Sequence, residues 1–290
     1  MPKVSKPKVP DALRPYFFHG VEIEVPSSGK EAMGDCPFCG KTGKFSVNVE
    51  TSMFKCWSSS CAVQGNSTVF LRLFWEHCKE NTTTADYKKL AELSKFTFPD
   101  AARSFGVVMS TLTSQWLVPG YGPEGKLTGL YRYGRILDGG KWKDRLLVCP
   151  GTGVHLFNLP NLDDSKPIIN LCEGWRDGIK LYEAMTNTTI GGQPLITKHS
   201  VLAIPGTNSF KSQWCKFFAG KQVNIWFDND KPSDEGKDGA GLFGVKKVAS
   251  VLRSSTTPPE EIRYLAWNGN PEQYDENVPN GMDVRDYLTV

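Results

Sequence analysis

Two short stretches carry acid at the ends of apolar runs. Residues 167–172 read Pro-Ile-Ile-Asn-Leu-Cys and lead straight into Glu173 and Gly174, with Asp177 four residues beyond Glu173. Residues 223–227 read Val-Asn-Ile-Trp-Phe and lead into Asp228, Asn229 and Asp230. Buried parallel strands have this character, and open α/β sheets place their ligands beyond the carboxyl ends of such strands. Adjacent strand ends would gather Glu173, Asp228 and Asp230 into one cleft. Carboxylates that close cannot all stay ionised without cations, and a hard, oxygen-preferring ion such as Mg2+ is the natural neutraliser. The chemistry suited to such a centre is metal-dependent phosphoryl or nucleotidyl transfer.

The elements that must position these acids follow from the surrounding pattern. Gly174 permits a tight strand-to-helix turn, which sets Asp177 in the first helical turn, where the dipole favours an anion. Residues 200–204 read as a second strand and residues 261–267 as a fourth. The polar loop 231–237 follows Asp230; Asp234, Glu235 and Asp238 are expected to solvate it, the alternative being that one of them reaches a second ion. A helix comes next, with Leu242, Val245, Ala249 and Leu252 on one face. The chain closes with Asp283 and Asp286 in a short acidic run. Strands alternating with helices predict a parallel α/β layer over residues 165–290.

A second chemistry lies near the N-terminus. Cys36 and Cys39 form one tight pair, and Cys56 and Cys61 form another after sixteen intervening residues. Tetrahedral Zn2+ takes four such ligands from paired knuckles. The second gap is wider than the usual two residues, so His77 and Cys78 stand as alternatives for the fourth ligand. Residues 44–49 and 52–55 alternate as hairpin strands about a turn at Glu50 and Thr51, and the metal would replace the core that so short a hairpin lacks. Asn66 and Ser67 read as the cap of a helix bearing Val69, Leu73 and His77. Lys41, Lys44 and Lys55, with Phe38, Phe54 and Trp57, offer phosphate contacts and stacking faces. Phe45 and Phe54 are expected to fill the ribbon, while Trp57 reads equally as packing or as a stacking ring.

Between the two chemistries, residues 98–107 predict a short helix stopped by Gly106, and strand-like runs cover 115–118, 127–135 and 141–148 with a hairpin at Asp138-Gly139-Gly140. Arg132, Arg135, Lys141, Lys143 and Arg145 fall within fourteen residues. They form either a solvated face or a basic surface for triphosphate or a nucleic-acid backbone. The expected division is a basic arm (1–25), a zinc ribbon (26–82), a linker or helix (83–97), a basic subdomain (98–164) and the α/β domain (165–290). The 290 residues carry 34 basic and 31 acidic side chains, a balance that neither demands nor excludes nucleic acid. No apolar run is long enough to span a membrane and no signal-peptide core is present, so a cytoplasmic protein without a membrane partner is expected. Eight cysteines, four of them in tight pairs, suit metal binding in a reducing compartment.

Taken together, Glu173-Gly174 with Asp177, Asp228 with Asp230, and Asp283 with Asp286 resemble the TOPRIM domain shared by bacterial-type primases, topoisomerases and some nucleases. With a zinc ribbon and a basic segment before it, the chain over residues 30–290 resembles bacterial and phage DNA primases. The fold this implies is multidomain α+β and α/β: a small zinc β-ribbon ahead of a polymerase core with a TOPRIM parallel α/β domain. The resemblance implies that Glu173, Asp228 and Asp230 bind catalytic Mg2+ or Mn2+, supported by Asp177 and by Asp283 or Asp286. It implies two-metal transfer, one ion on Glu173 and Asp228 at the 3′-hydroxyl and one on Asp228 and Asp230 at the triphosphate. Lys44, Lys55, Trp57, Arg132, Arg135, Lys141, Lys143 and Arg145 would meet single-stranded DNA template or nucleoside triphosphates. A chain ending just after this domain further implies a stand-alone phage or mobile-element primase served by a separate replicative helicase. Two rivals use the same residues differently: a TOPRIM nuclease, and a non-catalytic zinc-stapled single-strand binder of the replisome.

Overall fold

The computed structural model describes residues 9–233, 238–265 and 277–289. The first eight residues of the expected arm, Asp234 and Glu235 of the polar loop, and the end of the fourth strand at 266–267 lie outside the described residues. The chain forms two compact units. One takes Met1–Thr82, Val108–Pro119 and Leu127–Gly153, and the other takes Thr83–Val107, Gly120–Lys126 and Val154–Val290.

The first unit begins with α1 (Arg14–Phe18), followed by β1 (Ile23–Glu24), β2 (Glu31–Gly34), β3 (Phe45–Asn48), β4 (Phe54–Cys56) and β5 (Gln64–Gly65), paired in sequential order. The β3–β4 hairpin has the expected turn: Asn48 Oδ1 accepts the amides of Glu50 and Thr51, and Ser52 turns the chain at φ +62°. Helix α2 (Ser67–Asn81) starts where expected, its Asn66 side chain accepting from the Val69 amide at 3.0 Å. Its buried face is Phe70, Leu71, Phe74 and Cys78, not the Val69–Leu73–His77 stripe, because the longer rings fill more space. The ribbon also has a core of its own. Tyr16, Phe45, Phe54 and Phe70 are all but fully buried and their rings lie 4.6–6.5 Å apart. Phe38 joins them half-buried, stacked at 6.4 Å on Phe54, so its ring is spent on this packing more than on the surface. The expected arm is therefore anchored from Leu13 onward, since burying Leu13 and Tyr16 outweighs leaving that stretch in solvent.

A second sheet in this unit runs β6 (Val108–Met109), β7 (Trp116–Tyr121), β8 (Leu127–Asp138) and β9 (Lys141–Leu147), in that order. Gly139 and Gly140, at φ +58° and +77°, make the two-residue turn between β8 and β9.

The second unit opens with α3 (Thr84–Ser94), closed at its start by a reciprocal Thr83–Asp86 capping box, and α4 (Pro99–Ser104). Its sheet holds β10 (Ile168–Cys172), β13 (His199–Ala203), β14 (Gln222–Trp226) and β15 (Glu261–Tyr264) in the order β13-β10-β14-β15, all parallel. Helix α5 (Trp175–Asn187) follows β10, a minor hairpin of β11 (Thr189–Ile190) and β12 (Gln193–Pro194) leads to β13, and α6 (Ala240–Arg253) precedes β15. The short α7 (Val284–Tyr287) ends the described chain. The two acid-tipped strands, β10 and β14, are hydrogen-bonded neighbours in register Cys172 to Trp226. The sheet's buried side chains, among them Ile169, Leu171, Val201, Leu202, Val223 and Ile225, explain why each run reads as continuously apolar.

Candidate metal centres and nucleic-acid surfaces

The four thiols of Cys36, Cys39, Cys56 and Cys61 lie within 4.8 Å of one another. The Cys36–Cys61 and Cys39–Cys56 sulfurs are each 3.9 Å apart. A tetrahedron of sulfurs about 2.3 Å from a zinc ion has edges of about 3.8 Å, so the donor set fits Zn2+. The wide second gap is taken up by a turn in which the Cys61 and Ala62 amides bond back to the Ser58 carbonyl, with Ala62 at φ +49°. Cys61 thus completes the set. Cys78 is buried on α2 with its sulfur 3.8 Å from the Thr111 hydroxyl, and His77 lies edge-on to Phe38.

On the outer face of the ribbon, Trp57 is 58% exposed and donates from its indole to Ser46 Oγ at 3.1 Å. The Lys55 ammonium sits 4.2 Å from that ring's centre. Glu31, Ser46, Asn48, Met53, Lys55 and Gln64 line a shallow groove of about 750 Å3 beside it. Lys44 is exposed on the same ribbon.

The basic residues of the β8–β9 segment divide. Arg132 donates to the Phe18 carbonyl and lies 4.6 Å over the Phe18 ring, with its Nε buried. Arg135, Lys141, Lys143 and Arg145 are exposed. Arg135 stands opposite Asp144 and pairs with it at 3.3 Å, on the sheet face away from Lys141, Lys143 and Arg145.

In the second unit, the strand tips are held flush. The Glu173 amide donates to the Trp226 carbonyl at 3.3 Å and the Ile204 amide to the Cys172 carbonyl at 3.1 Å. The Asp228 amide reaches toward Glu173 Oε2 at 3.5 Å, so the two acids share one corner. Asp228 Oδ1 is buried and has no hydrogen-bond partner among the described residues. Asp230 turns its Oδ2 to the Gly241 amide at 2.9 Å, at the start of α6. Asn229, between the two acids, makes an isolated antiparallel bridge with Met282. That bridge brings Asp283 toward the cluster.

Asp283 caps α7, and Arg285 donates to both Asp283 and Asp177, at 2.9 Å for the latter. Asp286 points elsewhere, paired with Lys95 on the far side of α7, which lowers its pKa. The arrangement therefore groups Glu173, Asp228 and Asp230 as the open acids, Asp177 and Asp283 as acids satisfied by an arginine, and Asp286 apart. Among the described residues the four cysteines are the one metal-sized cluster, and the open carboxylates are gathered more loosely. Burial first, and then the neighbouring acids, push Glu173 up to about 7 and Asp228 up to about 9. Burial raises Asp177 to about 6 against the opposing pull of Arg285. A buried orphan oxygen, hard donors and proton affinities this high all fit a divalent cation, whose charge would offset the repulsion.

Two features of this corner escaped the sequence reading. Arg285 is one; its only signal was a cation placed between Asp283 and Asp286. The other is the glycine spacing of α6. A Cβ at Gly239 would overlap the Asp230 carbonyl, one at Gly241 the Asp228 carbonyl, and one at Gly244 the Thr207 side chain. Close approach of backbone to backbone sets the acids against the helix start.

The architecture is similar to that of solved DNA primase structures, bacterial and phage. No protein-family model matches the chain, and no curated protein does. The Aquifex aeolicus primase, with its zinc-binding and RNA polymerase domains, aligns over 94% of this chain and 78% of its own at 16% identity and a TM-score of 0.43. The primase fragment of the bacteriophage T7 primase-helicase aligns over 81% and 89% at 13% identity, TM-score 0.40. A DNA primase domain from Pseudomonas aeruginosa aligns over 77% and 74% at 17% identity, TM-score 0.47. At such identities the role of each residue rests on this chain's own geometry.

Proposed function

We infer that the chain is a primase: it synthesises short RNA primers de novo on single-stranded DNA by metal-dependent nucleotidyl transfer. The observation that carries this is the corner of Glu173, Asp228 and Asp230 at the tips of adjacent parallel strands, where Asp228 Oδ1 is buried without a partner among the described residues. Glu173, Asp228 and Asp230 would hold Mg2+ or Mn2+, which supplies Lewis-acid activation of a 3′-hydroxyl and neutralises the leaving pyrophosphate. Arg285 holds Asp177 and Asp283 in place beside that corner. In the other unit, the outer groove of the ribbon offers a cation, an indole face and the amide of Gln64 to an unpaired template strand. The four thiols would hold Zn2+, which would fix the strands that form this groove.

Asp228 is the decisive residue. Labelled ribonucleotides, single-stranded template and Mg2+ or Mn2+ should give short products with the native chain and none with Asp228→Asn. Zinc content and circular dichroism should stay unchanged in that variant. Undiminished synthesis would remove the proposed centre. Degraded template would favour the nuclease reading, and a mobility shift without products the binder.

A further inference from the structure

The end of the β8–β9 hairpin carries a feature that neither metal centre uses. The β9 strand is the edge of its sheet, and every residue from Lys141 to Arg145 is exposed. In an antiparallel pair, directly opposed residues share a face and the faces alternate along each strand. Leu137 stands opposite Trp142, so both project from one side next to the turn. They are 62% and 68% exposed. Lys141, Lys143 and Arg145 alternate with Trp142 and lie on the other side.

Lysines on an edge strand have a bland explanation, because they discourage edge-to-edge pairing. That account does not cover the apolar pair. A large indole and a leucine left open side by side at the end of an arm forgo burial that either could have gained, and such a patch marks a binding surface. Residues 135–145 hold four cations against two acids, which favours a polyanion as the occupant. An indole on one face of an edge strand and lysines on the other suit a single strand that crosses that edge, with an unstacked base on the ring and its flanking phosphates against the lysines. A closed duplex offers the indole no base face, and the deep major groove of an RNA–DNA hybrid does not admit such an arm.

We propose that the β8–β9 hairpin is a single-strand nucleic-acid arm, in which Trp142 stacks on an unpaired base with Leu137 as its floor and, where the strand crosses the β9 edge, Lys141 and Lys143 on the other face meet the phosphates. The assignment rests on the functional reading only in taking single-stranded nucleic acid as the molecule handled. The test uses the full chain and a labelled single-stranded oligodeoxynucleotide without nucleotides or divalent metal, read by anisotropy over a range of salt. Trp142→Ala should weaken binding about 5-fold or more, with Trp142→Phe recovering most of the loss and the salt slope unchanged. The Lys141→Ala, Lys143→Ala pair should instead flatten the slope by about 1.4, the counterions of two single-strand phosphates.

A second measurement avoids substitution altogether: an oligonucleotide carrying 5-iododeoxyuridine, photo-crosslinked to the native chain, should label Trp142. Affinity within 2-fold of native in Trp142→Ala, an equal loss on fully paired duplex, or crosslinks that never include Trp142 would each overturn the assignment. Because no synthesis is measured, failure here is separable from failure of the polymerase reading, which Asp228→Asn decides.

Discussion

Arg285 shows how one side chain can decide which acids in a cluster remain reactive. Its guanidinium satisfies Asp177 and Asp283, all three being 16% exposed or less, and so leaves Glu173, Asp228 and Asp230 as the carboxylates of this corner without a fixed countercharge among the described residues. Removing one partner of a buried pair leaves an uncompensated charge, which costs about 3–5 kcal/mol. Arg285→Ala is therefore expected to destabilise the protein by about that amount in urea denaturation. The double variant Arg285→Ala, Asp177→Asn should recover part of the loss, since it deletes the stranded charge along with its partner. Additive losses in the double variant would mean that the pair is not coupled. Asp228→Asn should behave in the opposite sense. It removes a group whose ionisation the fold opposes, so the metal-free variant should melt higher than the native chain at pH 8 while losing the stabilisation given by Mg2+.

At the scale of elements, α6 approaches β14 through glycines, and the site depends on that distance. Gly241→Ala would push the helix start off the Asp228 carbonyl; overpacking of this kind costs about 1–3 kcal/mol, and primer synthesis should fall while zinc stays bound. Zinc retention with activity intact would show that the helix can yield. This dependence was hard to read in the sequence because the glycines at 239, 241 and 244 show no period of their own, whereas the acid-tipped strands stood out as apolar runs ending in charge. The same contrast holds in the ribbon. Its four cysteines and its central hairpin were legible from spacing and alternation. The strands β1, β2 and β5, two to four residues each, are too short to leave a pattern, and Tyr16 looked like part of a tail until its burial placed it in the core. Arg135 was grouped with Lys141, Lys143 and Arg145 by proximity alone. Only the register across the turn shows that it faces the other way. Because the ribbon has an aromatic core, chelation should loosen the knuckles and lower the melting temperature, yet leave α2 and the near-ultraviolet signal in place at low temperature. Loss of that signal on chelation would mean that the metal, and not the rings, holds the ribbon.

For the whole molecule, the two units are expected to answer pH in opposite senses. In the second unit, Asp177, Glu173 and Asp228 have folded pKa values raised to about 6, 7 and 9. The folded state therefore binds more protons than the unfolded one, whose carboxylates titrate near about 4. Without divalent metal, the stability these three contribute should be full below about pH 4 and be lost progressively as pH rises toward 9. In the first unit, burial and the nearby Arg132 hold His19 down to about 3, against about 6.5 when unfolded. Here the unfolded state binds the extra proton, so stability is full above about pH 6.5 and is lost as pH falls toward 3; zinc release from protonated thiols acts in the same direction. Heating the metal-free and Mg2+-loaded chain from pH 4 to 9, with zinc release followed separately, should show two transitions that separate at the extremes of pH. The zinc-linked transition should move down in acid, and the other down in base. Mg2+ should raise the second transition most at high pH, where Glu173 and Asp228 have lost their protons and the cation meets least competition. A Mg2+ effect independent of pH would detach the cation from Glu173 and Asp228, and with it the argument that their buried, mutually repelling carboxylates are built to receive one.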